Sequence, residues 1–198
     1  MGTKGTATRA RLIEGARELL EAHGYAGTGL NQVLSASGAP RGSLYFHFPG
    51  GKDELVTAAL EAAGEEVGAA LAGLADEAPD TAGLVQGLVD LFTDRMVGSA
   101  FTKGCPLAAT AVDVAATNDR VHEVCTRVYS SWQRELAARL LAEGRTSEAA
   151  DAQAWSVLSL IEGAILLSRA TRSRAPLDRA RASVALLLQD DRPARSEA

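Results

Sequence analysis

The eight residues RGSLYFHF, at positions 41–48, hold the densest group of side chains in this sequence that could contact DNA. In a helix, Leu44 and Phe48 share one face because they are four residues apart, so we expect them to face the core. The other six residues then point elsewhere. Arginine can bond guanine acceptors, glycine permits close approach of the backbone, serine can bond a base or a phosphate, and phenylalanine can contact a thymine methyl group.

We assign direct base contacts to one group of residues, namely Arg41, Gly42, Ser43 and Phe46. Contacts to phosphates are expected on either side, because they fix the orientation of a protein on the duplex. The candidates for these contacts are Thr28, Tyr45, His47 and Lys52. The alternative is that the three aromatic residues at positions 45–47 only pack against the next helix, as aromatic side chains in short helices commonly do.

The preceding sequence predicts the helices that position this segment. Residues 6–24 predict a first helix that ends at Gly24, which suits a left-handed C-cap. A short helix from Thr28 or Gly29 to Gly38 and another from Pro40 to Phe48 follow. Two short helices separated by a glycine turn are typical of a helix-turn-helix, and this order favours DNA binding over simple packing. The apolar stripe of the first helix is predicted to be Leu12, Ala16, Leu19, Leu20 and His23.

The rest of the chain predicts a second, helical domain. The sequence PGG at 49–51 breaks the chain, and a long helix is expected from Lys52 to about Leu74. The predicted fold is therefore all-α, with a helix-turn-helix domain at residues 1–51 and a helical ligand-binding and dimerisation domain at residues 52–198. The tail DDRPARSEA is expected to be frayed. Further helices are predicted at about 81–97, 106–116, 118–143, 147–172 and 177–189.

Composition supports this fold and excludes several classes of protein. Alanine and leucine, the stronger helix formers, outnumber valine and isoleucine about fourfold. With 46% apolar and 23% charged residues, the chain is neither disordered nor fibrous. No apolar run approaches the roughly 20 residues that cross a bilayer, and the N-terminal residues are too polar for a secretory signal. We therefore expect a cytoplasmic protein.

Charge is distributed unevenly along the sequence. The formal net charge is −5, yet residues 1–52 carry more basic than acidic side chains. Non-specific affinity for nucleic acid comes chiefly from many lysine and arginine side chains that neutralise phosphates. The sequence therefore predicts a local, shape-directed DNA contact near the N-terminus and excludes a general binder of nucleic acid.

The motifs of common enzymes are absent from the sequence. It lacks a GxSxG, a P-loop, a dinucleotide fingerprint and an HExxH, and the three histidines are not at ligand spacing with carboxylates or cysteines. Two cysteines, Cys105 and Cys125, are too few for a disulfide scaffold or a cysteine-rich zinc site. No catalytic site, metal or cofactor is expected.

The stretch from Ala7 to Leu60 closely resembles the N-terminal DNA-binding domain of the TetR family of bacterial transcriptional repressors. The resemblance lies in TRARLIEGARELLEAHGY, GAPRGSLYFHF and KDEL, in that order. Two features depart from the family pattern: Pro40 stands where many members have a serine or threonine cap, and PGGKDEL is one residue longer than the usual loop. The extra glycine, together with GCPLAATAVDVA at 104–115, resembles the LmrA and YxaF-like branch of the family.

This resemblance implies a homodimer that binds an operator with two half-sites. It also implies release from the operator when a small ligand occupies the C-terminal domain, and it carries the base and phosphate contacts over to the residues already assigned.

Large or soft side chains in the C-terminal part could line an apolar cavity for such a ligand. Glu162 is the charged residue that could face the cavity, so an apolar or weakly cationic aromatic ligand is expected. The alternative is an ordinary bundle core, which any single one of these residues fits. The apolar candidates are Phe92, Met96, Phe101, Cys105, Tyr129, Trp132 and Trp155.

The last two predicted helices carry apolar residues on more than one face. This pattern suggests burial against both their own bundle and a second copy, although a buried helix in a monomer would show it too. The family resemblance implies that these helices form a four-helix dimer interface, which favours a dimer. The interface candidates are Leu158, Ile165, Val184 and Leu187.

A different class of function remains open at this stage. The protein could be a helical small-molecule-binding or redox-sensing protein whose N-terminal domain is purely structural. Cys105 follows Lys103 and Gly104 at a predicted helix N-terminus, a position that lowers a thiol pKa. Buried, inert thiols are the commoner situation.

Overall fold

The structure is a computed structural model that describes residues 3–114 and 117–189. This part of the chain forms nine α-helices and no strand, which confirms the predicted all-α fold. The tail at 190–198 lies outside the described residues, as do positions 115 and 116 of the helix predicted to end at 116. The helices are α1 (Thr3–His23), α2 (Leu30–Ser37), α3 (Arg41–His47), α4 (Lys52–Glu77), α5 (Thr81–Gly98), α6 (Pro106–Val114), α7 (Asp119–Ala142), α8 (Ser147–Thr171) and α9 (Ala175–Gln189).

The chain folds into two compact units. The first comprises residues up to Val67 together with Thr102–Val128, and the second comprises Gly68–Phe101 and the residues from Tyr129 onward. This division differs from the expected boundary between residues 51 and 52. The reason is that α6 packs against α1, and α4 and α7 each contribute residues to both units.

Within the first unit, α1 packs against α2, α3 and α6. Gly24, with φ of 67°, ends α1, and Gly38, with φ of 61°, ends α2, as the sequence predicts. The prediction that His23 faces inward is wrong, because His23 is exposed at the last position of α1. The buried stripe follows a four-residue interval along Leu12, Ala16 and Leu20.

The turn between α1 and α2 is held by residues distant in sequence. The Tyr25 hydroxyl donates to Oδ1 of Asp53 at 2.5 Å and accepts a hydrogen bond from Nδ2 of Asn118 at 3.3 Å. The Ala26 N–H donates to Oδ2 of Asp113 at 2.9 Å. Residues at the start of α4, in α6 and just before α7 therefore stabilise the entry to the helix-turn-helix.

In the second unit, α5, α8 and α9 pack against one another. Arg145 is buried, and its guanidinium donates to the carbonyl of Leu188 and to Oε1 of Gln153. This contact satisfies a carbonyl at the end of α9 and places a positive charge there, which the helix dipole favours. By length and composition alone, α8 could cross a membrane. A core helix of a soluble protein meets the same criterion, and one face of α8 is buried in this unit.

Two consecutive residues after α5, Ala100 and Phe101, adopt left-handed backbone conformations with φ of 50° and 62°. A left-handed conformation is unfavourable for residues other than glycine. The Phe101 N–H donates to the carbonyl of Met96 at 2.8 Å, which helps to stabilise this sharp end of α5.

Candidate nucleic-acid interface

The helix α3 divides its side chains between the core and the solvent. Leu44 and Phe48 are 0% and 1% exposed, whereas Tyr45 and Phe46 are 59% and 74% exposed. The helix begins after Pro40, which adopts an extended conformation at the N-cap without a side-chain hydrogen bond. Leu44 and Phe48 therefore hold a short helix with Tyr45 and Phe46 facing outward, and the alternative that the aromatic residues only pack against the next helix is wrong for these two.

The beginning of α3 is open to an approaching surface. A Cβ built on Gly42 would meet nothing within 4 Å. The exposed guanidinium of Arg41 donates to Oδ1 of Asn31 on α2 at 3.1 Å. Asn31 was not identified from the sequence. Its position in the first turn of the preceding short helix could have indicated that it lies near the start of α3. Ser43 is half-buried, and its N–H donates to the Pro40 carbonyl in the first turn.

His47 at the end of α3 is half-buried rather than fully available. Its ring packs edge-on against the Phe46 ring, with centroids 5.0 Å apart. Its Nδ1 is buried and has no hydrogen-bond partner among the residues that the structure describes. An outward contact from His47 would therefore come from the other ring nitrogen.

Two of the expected phosphate contacts have structural roles in the turn before α2. Thr28 is 2% exposed, and its hydroxyl donates to the Gly24 carbonyl at 2.7 Å. The Lys52 ammonium donates to the Tyr25 carbonyl at 2.7 Å and lies 4.1 Å from the centroid of the Tyr25 ring. Burial lowers the pKa of Lys52, and nearby Asp53 opposes that shift. Both side chains thus help to hold the turn before α2.

Several residues expected to bind a ligand do come together in the second unit. The Tyr129 hydroxyl donates to Oε1 of Glu162 at 3.0 Å. The rings of Tyr129 and Trp132 meet edge-to-face with centroids 5.5 Å apart. Met96 is buried, and Phe92 and Phe101 are half-buried.

The other two residues expected in the ligand site are placed differently. Trp155 is 43% exposed, so it does not lie in the core of the unit. Cys105 belongs to the first unit, because the chain from Thr102 packs with α1. As predicted, Cys105 immediately precedes a helix, and its carbonyl accepts the N–H of Ala109 at 3.2 Å. Cys125 is also buried, and burial raises the pKa of its thiol to about 11.

The residues expected at a dimer interface mostly belong to the core of a single chain. Leu158, Ile165 and Val184 are buried, and Leu187 is half-buried. The apolar residues that α8 and α9 leave exposed are different ones, because the residues that we expected to face a partner lie on the inward faces of these helices. We call this exposed set the α8–α9 face, and it consists of Trp155, Leu166, Leu167 and Leu186.

The fold and its helix-turn-helix match two family models. The model for bacterial regulatory proteins of the TetR family matches residues 12–59. The model for the C-terminal domain of LmrA/YxaF-like transcriptional regulators matches residues 81–183, more than half of the chain. This chain belongs to the TetR family. The expected resemblance, including its LmrA/YxaF-like branch, is confirmed.

Relatives in the TetR family support the same conclusion over nearly the whole length. A helix-turn-helix transcriptional regulator of Mycobacterium tuberculosis strain H37Rv is 35% identical over 193 residues, which cover 95% of this chain and 97% of that protein. LmrA of Bacillus subtilis strain 168 is 31% identical over 86% of this chain and 90% of its own length. A TetR transcriptional regulator of Chloroflexus aurantiacus superposes with a TM-score of 0.80 at 28% identity, covering 96% of this chain and 98% of that one. This chain is thus a DNA-binding transcriptional regulator of the TetR family and not an enzyme, as the sequence predicts.

Proposed function

We propose that this TetR-family regulator is a repressor that binds a palindromic operator as a homodimer in the cytoplasm and is released by a small molecule. The observation that carries the DNA-binding part is the geometry of α3. Tyr45 and Phe46 are exposed, and a Cβ at Gly42 would meet nothing within 4 Å. Leu44 and Phe48 fix the helix to the core. Side chains as exposed as these contribute little to the core of the free chain, and a contact with DNA accounts for their exposure.

The proposed contacts follow the exposure of each side chain. Arg41, Ser43 and Phe46 would face base edges in the major groove, with Gly42 allowing the backbone to approach. Tyr45 and the outer nitrogen of His47 would contact phosphates. Thr28 and Lys52 would position the turn before α2 rather than touch the duplex, since both side chains already bond backbone carbonyls there.

The homodimer is supported by the α8–α9 face. Large apolar side chains that stay exposed on two packed helices are typical of a protein interface. Leu166 follows Trp155 by eleven residues, about three helical turns, so both lie on the same side of α8. Leu186 contributes from α9. A two-fold dimer through this face would present two recognition helices to two half-sites.

The proposed effector is an apolar or cationic aromatic molecule. The group formed by Tyr129, Trp132 and Glu162 combines two aromatic rings with a carboxylate, a combination that suits recognition of an organic cation. Phe92, Met96 and Phe101 belong to the same unit and would supply apolar contacts. Redox sensing through Cys105 has less support, because the side chain is 5% exposed and oxidation requires access to the sulfur.

Two glycine variants test the DNA-binding part of the proposal. DNA upstream of the protein's own gene is footprinted, and the protected duplex and a scrambled duplex are titrated by fluorescence anisotropy. Gly42→Ala should weaken binding to the protected duplex at least about tenfold, because the added methyl group occupies space needed by the base edges. Gly73→Ala is the matched control, since its Cβ also meets nothing within 4 Å and it too lies in a helix. Equal affinity of both variants and the wild type would show that α3 does not approach DNA closely.

The effector part is tested by tryptophan fluorescence. Apolar and cationic aromatic compounds are screened for a change in emission, and each hit is titrated again with saturating operator. Reciprocal coupling requires the operator to lower the affinity for a true effector by the same factor by which the effector lowers the affinity for the operator. The corresponding coupling free energy is about 1 to 3 kcal/mol in such systems. A hit whose affinity does not change in the presence of operator does not occupy the effector site.

A further inference from the structure

Arg120, the second residue of α7, is an exposed cation without an internal role. Its side chain forms no hydrogen bond or ion pair with any residue that the structure describes. Two other cations of the first unit are engaged: Arg127, seven residues later on the same helix, pairs with Glu61 at 2.8 Å, and Lys52 is bound to the Tyr25 carbonyl. An unpaired arginine is therefore available to a ligand at this end of α7.

The guanidinium of Arg120 lies against the loop that follows the recognition helix α3. A Cβ built on Gly50 would be 3.2 Å from Nη1 of Arg120 and 3.0 Å from Oε2 of Glu54. Gly50 comes three residues after His47, the last residue of α3. The space that a side chain at position 50 would fill is thus shared by Arg120 and Glu54, and the glycine permits Arg120 to come this close.

A positive charge beside the loop that follows α3 could contact a DNA phosphate. Phosphate contacts beside a recognition helix fix its register in the groove. The sequence suggests Lys52 for this contact, but its ammonium is held against Tyr25 by a hydrogen bond and by the ring. Arg120 supplies a free cation beside the same loop, from a helix outside the helix-turn-helix.

We propose that Arg120 binds a backbone phosphate of the operator next to α3 and so provides a phosphate contact from outside the helix-turn-helix. This inference rests on the proposed DNA-binding function. A guanidinium suits the task because it is always charged and donates two parallel hydrogen bonds to phosphate oxygens. Glu54 lies beside it, and Asp119 and Glu123 flank it in the sequence, so the region is not a general basic patch. The contact is a single, directed one.

The salt dependence of binding tests this contact. For Arg120→Gln, the slope of log affinity against log salt concentration should fall by about 0.9, the value for one phosphate contact on duplex DNA. The ratio of the wild-type affinity to the variant affinity should accordingly fall about 3.5-fold between 50 and 200 mM salt. The loss should be the same on the footprinted duplex and on a scrambled one, because phosphates carry no sequence information.

The matched control is Arg127→Gln, which removes the same charge from an exposed position on the same helix. It should leave the slope unchanged. Equal slopes for Arg120→Gln and the wild type would overturn the inference, as would equal reductions in the two variants, which would indicate a general charge effect. Failure of the wild type to bind any duplex would instead overturn the proposed function, so the two failures are distinguishable.

A second pair of variants tests the geometry rather than the charge. Gly50→Ala should weaken binding, because the new methyl group would displace Arg120 or Glu54. In the Arg120→Gln background the same change should have little further effect. An equally large effect of Gly50→Ala in both backgrounds would show that position 50 acts independently of Arg120. Thermal unfolding followed by circular dichroism would identify any variant whose fold has changed.

Discussion

The recognition helix α3 and the helix pair α8 and α9 both leave large apolar side chains exposed, but they are held in place differently. The helix α3 is seven residues long, and Leu44 within it and Phe48 directly after it fix its orientation. In α8, 25 residues long, nine residues are buried along its inner side. The exposed residues of α3 are a narrow set beside a glycine, whereas those of the α8–α9 face spread over two packed helices.

This difference shows how length and apolar content limit the orientations open to a helix. A short helix with two apolar residues four positions apart has one way to bury both. A long helix with apolar residues on all sides can be rotated with little change in the apolar area it buries, so its neighbours decide which face remains outside. The two surfaces are therefore expected to respond differently to substitution.

The largest effect is expected at the α8–α9 face. Leu166→Asp and Leu186→Asp together should convert the proposed dimer into a monomer and abolish specific operator binding, since a desolvated carboxylate is very unfavourable in an interface. Sedimentation velocity and anisotropy titration measure the two effects. Val112→Asp on α6 is the control, because Val112 is an apolar residue that is even more exposed, at 84%. Operator binding that survives in a monomer would contradict the proposed assembly.

The next effect separates the anchors of α3 from its outer face. Leu44→Ala should lower the free energy of unfolding by about 2 to 5 kcal/mol, because Leu44 is fully buried. Phe46→Ala should leave stability nearly unchanged, since the side chain is 74% exposed, yet it should weaken operator binding. Urea denaturation and anisotropy distinguish the two. A comparable loss of stability in Phe46→Ala would mean that this ring is part of the core.

A smaller effect is expected at the start of α3. Arg41→Ala should weaken binding to the footprinted duplex by about 1 to 3 kcal/mol and relax the preference for one base pair. Binding to scrambled DNA should change less. The prediction is checked with a set of duplexes that differ at single positions, and a uniform loss on all of them would indicate that Arg41 contacts a phosphate instead.

The smallest effect concerns the backbone just after α5, in the second unit. Ala100→Gly should stabilise the protein by about 1 kcal/mol or less, because glycine relieves a left-handed conformation but has more freedom when unfolded. Ala152→Gly, in the regular helix α8, should instead destabilise it by about 1 kcal/mol. Thermal unfolding of the two variants compares a strained position with an unstrained one, and destabilisation by both would mean that the strain at Ala100 is negligible.

Much of the local structure was predictable from the sequence. Gly24 and Gly38 end their helices where the sequence places these ends, because a left-handed C-cap strongly favours glycine. The inner face of α3 was predictable because Leu44 and Phe48 offer one apolar pairing. Local chemistry of this kind depends on residues within one or two helical turns.

The parts that could not be predicted depend on contacts distant in sequence. The composition of α8 does not show that Leu158 and Ile165 face the core while Leu166 faces outward, because all three are aliphatic and only the packed neighbours distinguish them. Similarly, the sequence indicates that Lys52 is basic and follows the recognition helix. It does not show that the Lys52 ammonium already donates to the Tyr25 carbonyl and lies over the Tyr25 ring.

The turn between α1 and α2 limits how the protein can be recombined with its relatives. Its geometry depends on Asp113, which accepts the Ala26 N–H, and on Asn118, which bonds the Tyr25 hydroxyl. A chimera that joins residues 1–51 of this chain to the C-terminal part of another TetR-family regulator would lose both partners. We therefore expect the helix-turn-helix to keep its geometry in such a chimera only if α6 and Asn118 accompany it, which makes its architecture depend on two separate stretches of sequence.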